Sequence, residues 1–228
     1  VILDRSAGPH DARRLRADGQ LALSRFVELV EAEHAPITPA SLRALLERML
    51  GRLGAASGTL EVAYPLLLPK RAPASGALSH LDYGVRRRIE AAADGSRLQR
   101  LTVTVPVTTL CPCSKEISDY GAHNQRSLVT ISVELAADLE PEALIQAAER
   151  SASCELYGSL KREDEKAVTE RAYENPKFAE DLVRDVALEL ARDPRVACYE
   201  VLAENLESIH NHSAFARLRG DGPLHAGT

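Results

Sequence analysis

The chain of 228 residues has no tryptophan, one methionine and only 4% aromatic residues, so it offers few flat side chains on which nucleic-acid bases could stack. Its formal net charge is −5, so it also lacks the basic field that gathers a polyanion, and nucleic acid is not an expected partner. No apolar run approaches the ~18 residues of a membrane span and no leader pattern is visible, so no membrane partner is expected either. Four cysteines are too few for a disulfide framework in a chain this long, and Cys111 and Cys113 are too close in sequence to join separate parts of it. The thiols therefore read as reduced, in a cytoplasmic protein, and available for metal binding or catalysis. What is present is 45% hydrophobic and 27% charged residues, enough to build the core of one large domain or two small ones.

Hydrophobic periodicity divides the chain. Residues 1–4 form a short apolar start and 6–20 a polar loop. Residues 21–33 carry apolar side chains at Leu21, Leu23, Phe26, Val27 and Val30, at helical spacing. Thr38-Pro39 opens a second helix whose apolar face is Leu42, Leu45, Leu46, Met49, Leu50 and Leu53, with Gly54 near its end. Strands are expected over 59–68, 81–93, 98–107, 127–135, 195–207 and 213–218, the second closed by the hairpin pair Asp94-Gly95. Helices are expected over 139–151, 161–173 in part, and from Asn175-Pro176 to 192. The two halves share a weak pattern of strands and helices, which suggests an antiparallel sheet with helices on one face. Such a sheet has free edges that symmetric association would cover, so a homo-oligomer is expected.

The rest of the chain is arranged around 110–126, LCPCSKEISDYGAHNQR, read as a connection of about 17 residues between two strands. It sets two thiols, Cys111 and Cys113, beside His123. Thiolate and imidazole suit zinc and its transition-metal neighbours, with a further donor needed from elsewhere. The plain alternative is two small buried residues and a satisfied surface histidine. Near the other end, ENLESIHNH (204–212) holds His210 and His212 at alternate positions with Glu207 just before them, a candidate acid–base pair or an exposed polar turn. The charge run LKREDEK (160–166) reads first as a solvated helix start, and Glu180 by itself is like any surface glutamate.

Together these segments resemble the prokaryotic GTP cyclohydrolase IB family. The likeness is carried by PCSKEISDYGAHNQR (112–126) and continues through KRAPASG (70–76), SCELY (153–157), LKR (160–162) and DEKAVTE (164–170). It runs on through NPKF (175–178), EDLVRD (180–185) and ESIHNH (207–212), all in the family's order over about residues 24–218. The resemblance implies an α+β tunnelling fold: two tandem modules of antiparallel sheet with helices packed on one face, residues 1–95 and 96–228, assembling into barrels in a homotetramer. It implies conversion of GTP and water to 7,8-dihydroneopterin triphosphate and formate, the entry to folate and deazapurine synthesis. The alternatives are the archaeal relative that yields a cyclic phosphate, and a non-catalytic binding module with a structural metal.

Residue by residue, the resemblance implies Cys111, His123 and Glu165 as ligands of one divalent metal (Zn, Mn or Fe), with water completing the shell. Cys113 lies beside the metal. Glu180 aligns with the glutamate that grips guanine; a carboxylate can accept two parallel hydrogen bonds from N1–H and the 2-amino group, a pair that adenine does not offer. His210 and His212, supported by Glu207, correspond to acid–base and phosphate- or ribose-contacting residues. Lys70, Arg71, Lys115, Lys161, Arg162 and Lys166 are the cations available to the triphosphate. The chain departs from the family near the first helix, where only Ser24-Arg25-Phe26 remains of a longer motif.

Overall fold

Thr38 sets the first described helix. Its hydroxyl accepts from the Ser41 N–H at 3.1 Å, and the Ser41 hydroxyl accepts from the Thr38 N–H at 2.9 Å, so two otherwise unpaired donors are capped reciprocally. Pro39 occupies the first turn, and Gly54, in the left-handed region at φ 59°, closes α1 (Pro39–Leu53) as the sequence predicts. The protein is described from a computed structural model, which places residues 27–29, 31–32 and 36–223. The expectations for 1–26, among them the shortened Ser24-Arg25-Phe26 motif, lie outside the described residues, as do 30 and 33 of the helix expected over 21–33; 27–29 and 31 are helical.

After α1 come β1 (Gly58–Arg71), β2 (Leu78–Ala91), β3 (Arg97–Leu110), α2 (Pro112–Ile117) and β4 (Asn124–Leu135). They are followed by α3 (Pro141–Ser151), β5 (Cys154–Glu155), α4 (Arg162–Glu174), α5 (Ala179–Leu190), β6 (Val196–Leu206) and β7 (Ala214–Asp221). The class is α+β. The strands form one sheet in the order β1-β2-β3-β4-β6-β7, with β5 added against β3. The β3–β4, β4–β6 and β6–β7 pairs are antiparallel. Gly95, at φ 88°, makes the turn between β2 and β3 that Asp94-Gly95 signals.

The chain divides into two compact units, one comprising the residues up to Val62 with Arg87–Gln99, the other Ala63–Arg86 with Arg100 onward. In the first, Leu42, Leu45, Leu46 and Met49 of α1 bury against Leu60, Ile89 and Ala91. In the second, alternate residues of β3, β4 and β6 (Val103, Val105, Val107; Val129, Ile131, Val133; Val201, Ala203) meet Leu144, Ile145 and Ala148 of α3 and Leu182, Val183, Val186 and Leu190 of α5. Each large side chain so buried contributes about 1.5–3 kcal/mol.

Several boundaries differ from those expected. β3 runs on to Leu110 because the β-branched Thr108 and Thr109 keep pairing, Thr109 with Gln125 and Leu110 with Asn124. The connection to β4 is thus residues 111–123, shorter than the 17 expected, and it contains the short helix α2. β5, only two residues long, had no periodic signature. The last helix starts at Ala179, not at Asn175: the residue before Pro176 stays out of helical geometry, and the Lys177 N–H is spent on Leu110 O at 3.0 Å.

Candidate active site

The 111–123 connection is held by its own backbone. The Cys111 N–H donates to His123 O at 3.1 Å, which brings the two ends of the loop together and sets the thiol and imidazole residues side by side. Cys111 caps α2 with Pro112 in its first turn. The Ser114 hydroxyl donates to Cys111 O at 3.1 Å and accepts from the His123 N–H at 3.2 Å, a second clasp across the loop. Cys111 and His123 are half-buried and Cys113 is exposed; all four cysteines of the chain are free thiols, as expected.

Behind His123 the inward face of the sheet changes character. The same alternation that buries Val105, Val107, Val129 and Ala203 continues into Thr109, Gln125, Ser127 and Asn205, all buried. These polar residues face one another in register, Thr109 opposite Gln125 and Ser127 opposite Asn205. Gln125 Oε1 lies 3.0 Å from His123 Nδ1, and Gln125 Nε2 donates to Thr109 Oγ1 at 2.8 Å. Thr109 Oγ1 meets Ser127 Oγ at 2.7 Å, and Ser127 Oγ donates to Asn205 Oδ1 at 2.6 Å. Ser208, from the segment after β6, also reaches His123 Nδ1, at 3.2 Å. No ring nitrogen of His123 other than Nδ1 is engaged in these bonds. Sequence reasoning missed this set; the available signal was polar residues in phase with the valines of the same strands.

Glu165 is positioned by its neighbour. Asp164 is fully buried and accepts from the backbone N–H groups of Ala74 (2.9 Å), Ser75 (2.8 Å) and Lys161 (2.9 Å) and from the Ser75 hydroxyl (2.6 Å). Burial works to raise its pKa, yet these donors, the Ser75 hydroxyl foremost, hold the carboxyl well below the usual range. The KRAPASG segment therefore anchors the first turn of α4, and Glu165, Arg162 and Lys166 stand exposed on that turn. Lys166 makes a weak i,i+4 pair with Glu170 at 3.7 Å.

Lys70, expected among the cations available to the triphosphate, is paired within the chain. Its ammonium donates to both oxygens of Glu149 at 2.9 Å and to Glu155 Oε2, and its side chain is only 11% exposed, so two carboxylates occupy the charge reserved for phosphate. The Tyr83 hydroxyl donates to Glu149 at 2.5 Å and the Tyr157 hydroxyl to Glu155 at 2.7 Å. Burial, then the adjoining carboxylates, push both phenols above their ordinary range. Glu155 is held low by Lys70 and Tyr157 against the raising effect of burial. Lys115 is likewise tied, to Tyr173 O and over the Tyr173 ring at 4.3 Å. A cavity of about 340 Å³ opens beside this cluster, lined in part by Glu149, Cys154, Glu155 and Arg171, and none of the residues nominated from sequence lines it.

Of the remaining candidates, Glu180, His210 and His212 are exposed. Glu180 is the second residue of α5. His210 and His212 lie in the connection 207–213 with their rings stacked, centroids 5.2 Å apart and 15° between planes, so they do point the same way although the chain bends there. Glu207 is half-buried at the start of that connection. Among the described residues, no three of His, Cys, Asp and Glu are gathered closely enough to hold a metal ion. Cys111 and His123 are of the right chemistry and adjacent, but Glu165 does not join them, so the implied ligand set is not assembled within this chain.

Comparison with known proteins supplies the family. The model of type I GTP cyclohydrolase folE2 matches residues 19–216. GTP cyclohydrolase FolE2 2 of Cupriavidus metallidurans is 57% identical over 209 residues, 91% of this chain and 78% of that protein. GTP cyclohydrolase FolE2 2 of Burkholderia lata is 59% identical over 209 residues, 91% and 77% of the two chains. GTP cyclohydrolase FolE2 of Ralstonia nicotianae is 57% identical over 199 residues, 87% and 74%. A crystal structure of uricase from Arthrobacter globiformis aligns over 96% of this chain and 83% of that one at 9% identity, with a TM-score of 0.46. The class these matches define is the type I GTP cyclohydrolases. Within it, this chain belongs to the FolE2 family.

Proposed function

We propose that the loop 111–123, the first turns of α4 and α5 and the connection 207–213 together form the site of the family's reaction. As a FolE2 GTP cyclohydrolase, the chain hydrolyses GTP to 7,8-dihydroneopterin triphosphate and formate at the start of folate biosynthesis. Glu180 binds the guanine edge through two parallel hydrogen bonds and so sets base choice. Arg162 and Lys166, exposed on α4, hold the triphosphate. His210 or His212, kept oriented by their mutual stacking and by Glu207 nearby, delivers a proton to the ring nitrogen as water adds at C8. The imidazole ring opens, a second hydrolysis releases formate, and the rearranged sugar carbons close the pterin ring.

The resemblance implies one divalent ion, Zn, Mn or Fe, which when bound acidifies a water. Cys111 and His123 are the residues that would hold it, with Cys113 alongside; the place of Glu165 as third donor is not met by its position in the single chain. The tunnelling fold in two tandem modules, 1–95 and 96–228, and a homotetramer of barrels belong to the same reading. So does a cytoplasmic location; among the described residues no helix is long and apolar enough to cross a membrane.

The observation that carries the reading is the Cys111–His123 clasp within a chain 57% identical to a FolE2 enzyme over nearly its whole length. The test is incubation with GTP in the presence of each divalent metal, following formate and the fluorescence of the oxidised pterin. Glu180→Ala should lower kcat/KM at least tenfold, since each hydrogen bond to a charged group is worth about 1.5–3 kcal/mol. Absence of formate with every metal overturns the activity, full activity in Glu180→Ala overturns the guanine contact, and the product mass separates the linear triphosphate from a cyclic phosphate.

A further inference from the structure

We propose that Gln125 is a positioning residue that holds His123 as the Nδ1–H tautomer through a one-way chain of hydrogen bonds running back to Asn205. The number of hydrogens each group carries fixes the direction of the chain. Asn205 presents its carbonyl oxygen to Ser127 at 2.6 Å, so the single hydroxyl hydrogen of Ser127 is spent there. At its 2.7 Å contact with Thr109, Ser127 can then only accept, and the hydroxyl hydrogen of Thr109 is spent in turn. Thr109 therefore accepts from the amide nitrogen of Gln125 at 2.8 Å, which leaves the Gln125 carbonyl oxygen facing His123 Nδ1 at 3.0 Å. A carbonyl oxygen cannot donate, so this shorter contact is a hydrogen bond only with the proton on Nδ1, and the Ser208 hydroxyl, 3.2 Å from the same nitrogen, then stands as a second acceptor. The Nε2 lone pair is bare on the side of the ring away from the chain.

Burial makes this arrangement hard to rewire. Thr109 and Ser127 are fully buried, and Gln125 and Asn205 are 6% and 5% exposed, so no bulk water replaces a lost partner. Each member sits opposite another in the strand register, Thr109 with Gln125 on β3 and β4, Ser127 with Asn205 on β4 and β6. The sheet itself thus sets the orientation of a ring that lies on a loop. A bare Nε2 beside the Cys111 loop can take an electrophile, whether a proton or a metal ion; an Nε2–H could take neither. The inference deepens the site proposed above, resting on its placement of His123 there, but it concerns the ring in the protein alone.

The test is the ring-nitrogen NMR of histidine-labelled, metal-free protein in mildly alkaline solution, where imidazoles are neutral. In the wild type the His123 resonances should show a protonated Nδ1 and an unprotonated Nε2. Gln125→Leu and Thr109→Val should each shift them toward Nε2–H, while Gln125→Glu and Asn205→Asp, whose carboxylates can only accept, should preserve the Nδ1–H form. A merely structural role would leave the tautomer untouched in any variant that folds. Turning the Asn205 amide over would reverse every bond, so Nε2–H in the wild type overturns the proposal, as does an unchanged spectrum in a folded Gln125→Leu or Thr109→Val. If the wild type makes no formate yet shows Nδ1–H, the activity fails and this inference stands; the converse separates them as cleanly.

Discussion

Replacing Lys70 with methionine keeps the length of the side chain and removes the charge that separates Glu149 from Glu155. Lys70 and Glu149 are 11% and 10% exposed and Glu155 is 28% exposed, so water can screen the two carboxylates only in part. Removing one partner of a buried pair costs about 3–5 kcal/mol when the other charge is stranded. Here the loss has a ceiling, because one carboxylate can take up a proton and share it with its neighbour. Protonating a carboxyl of ordinary pKa 4.5 at neutral pH costs about 1.4 kcal/mol for each pH unit, or about 3.4 kcal/mol. Lys70→Met should therefore lose about 3 kcal/mol at pH 7, and the deficit should shrink by about 1.4 kcal/mol per pH unit on the way to pH 5. The sign follows from the variant, in which one of the two unseparated carboxyls keeps a proton: a folded pKa raised above the ordinary 4.5 costs stability at pH 7, and that cost fades as pH falls toward 4.5. Urea unfolding at pH 7 and 5.5 measures both quantities. Adding Glu149→Gln should recover most of the loss, since Glu155 keeps Tyr157 and Arg171. A deficit independent of pH, or one below about 0.5 kcal/mol, would refute the account of Lys70 as a cation fixed between two acids.

Asp164→Asn should lower the melting temperature at pH 7, because an amide offers one acceptor where a carboxylate takes four donors. The folded carboxyl is held below its ordinary 3.8, so its contribution is present above that value and is lost as pH falls through the folded one. Thermal scans should thus show the gap between variant and wild type closing toward pH 3, and an equal gap at both pH values would contradict the four-donor reading. Gly222→Ala should destabilise by about 2 kcal/mol or more, since the new Cβ would lie 1.8 Å from Val196 O at the start of β6. Unfolding in denaturant checks this; a neutral effect would mean that the β7 end is not packed as described.

Much of the fold was legible in local pattern. Thr38-Pro39 and Gly54 marked α1 because capping is local, and the valines of β3 and β4 announced their strands by simple alternation. The strand ends were read short where the pattern turned polar, as at Thr108 and Thr109, whose pairing partners lie on another strand. The loop with Cys111 and His123 was found because its unusual residues are close in sequence. The pairing of Lys70 was not legible because the carboxylates that claim it are 79 and 85 residues away. The burial of Asp164 was not legible because nothing in a run of charges says which member turns inward; the deciding donors come from Ala74 and Ser75.

The contact of Ser208 with His123 bears on what the chain can tolerate. A connection such as 207–213 would ordinarily accept added or deleted residues at little cost. Here its hydroxyl must arrive at one imidazole 85 positions away, so its length is dictated from outside itself. Drift in loop size among relatives should accordingly be rare at this place and freer at the Asp94-Gly95 turn, whose hydrogen bonds are all to immediate neighbours.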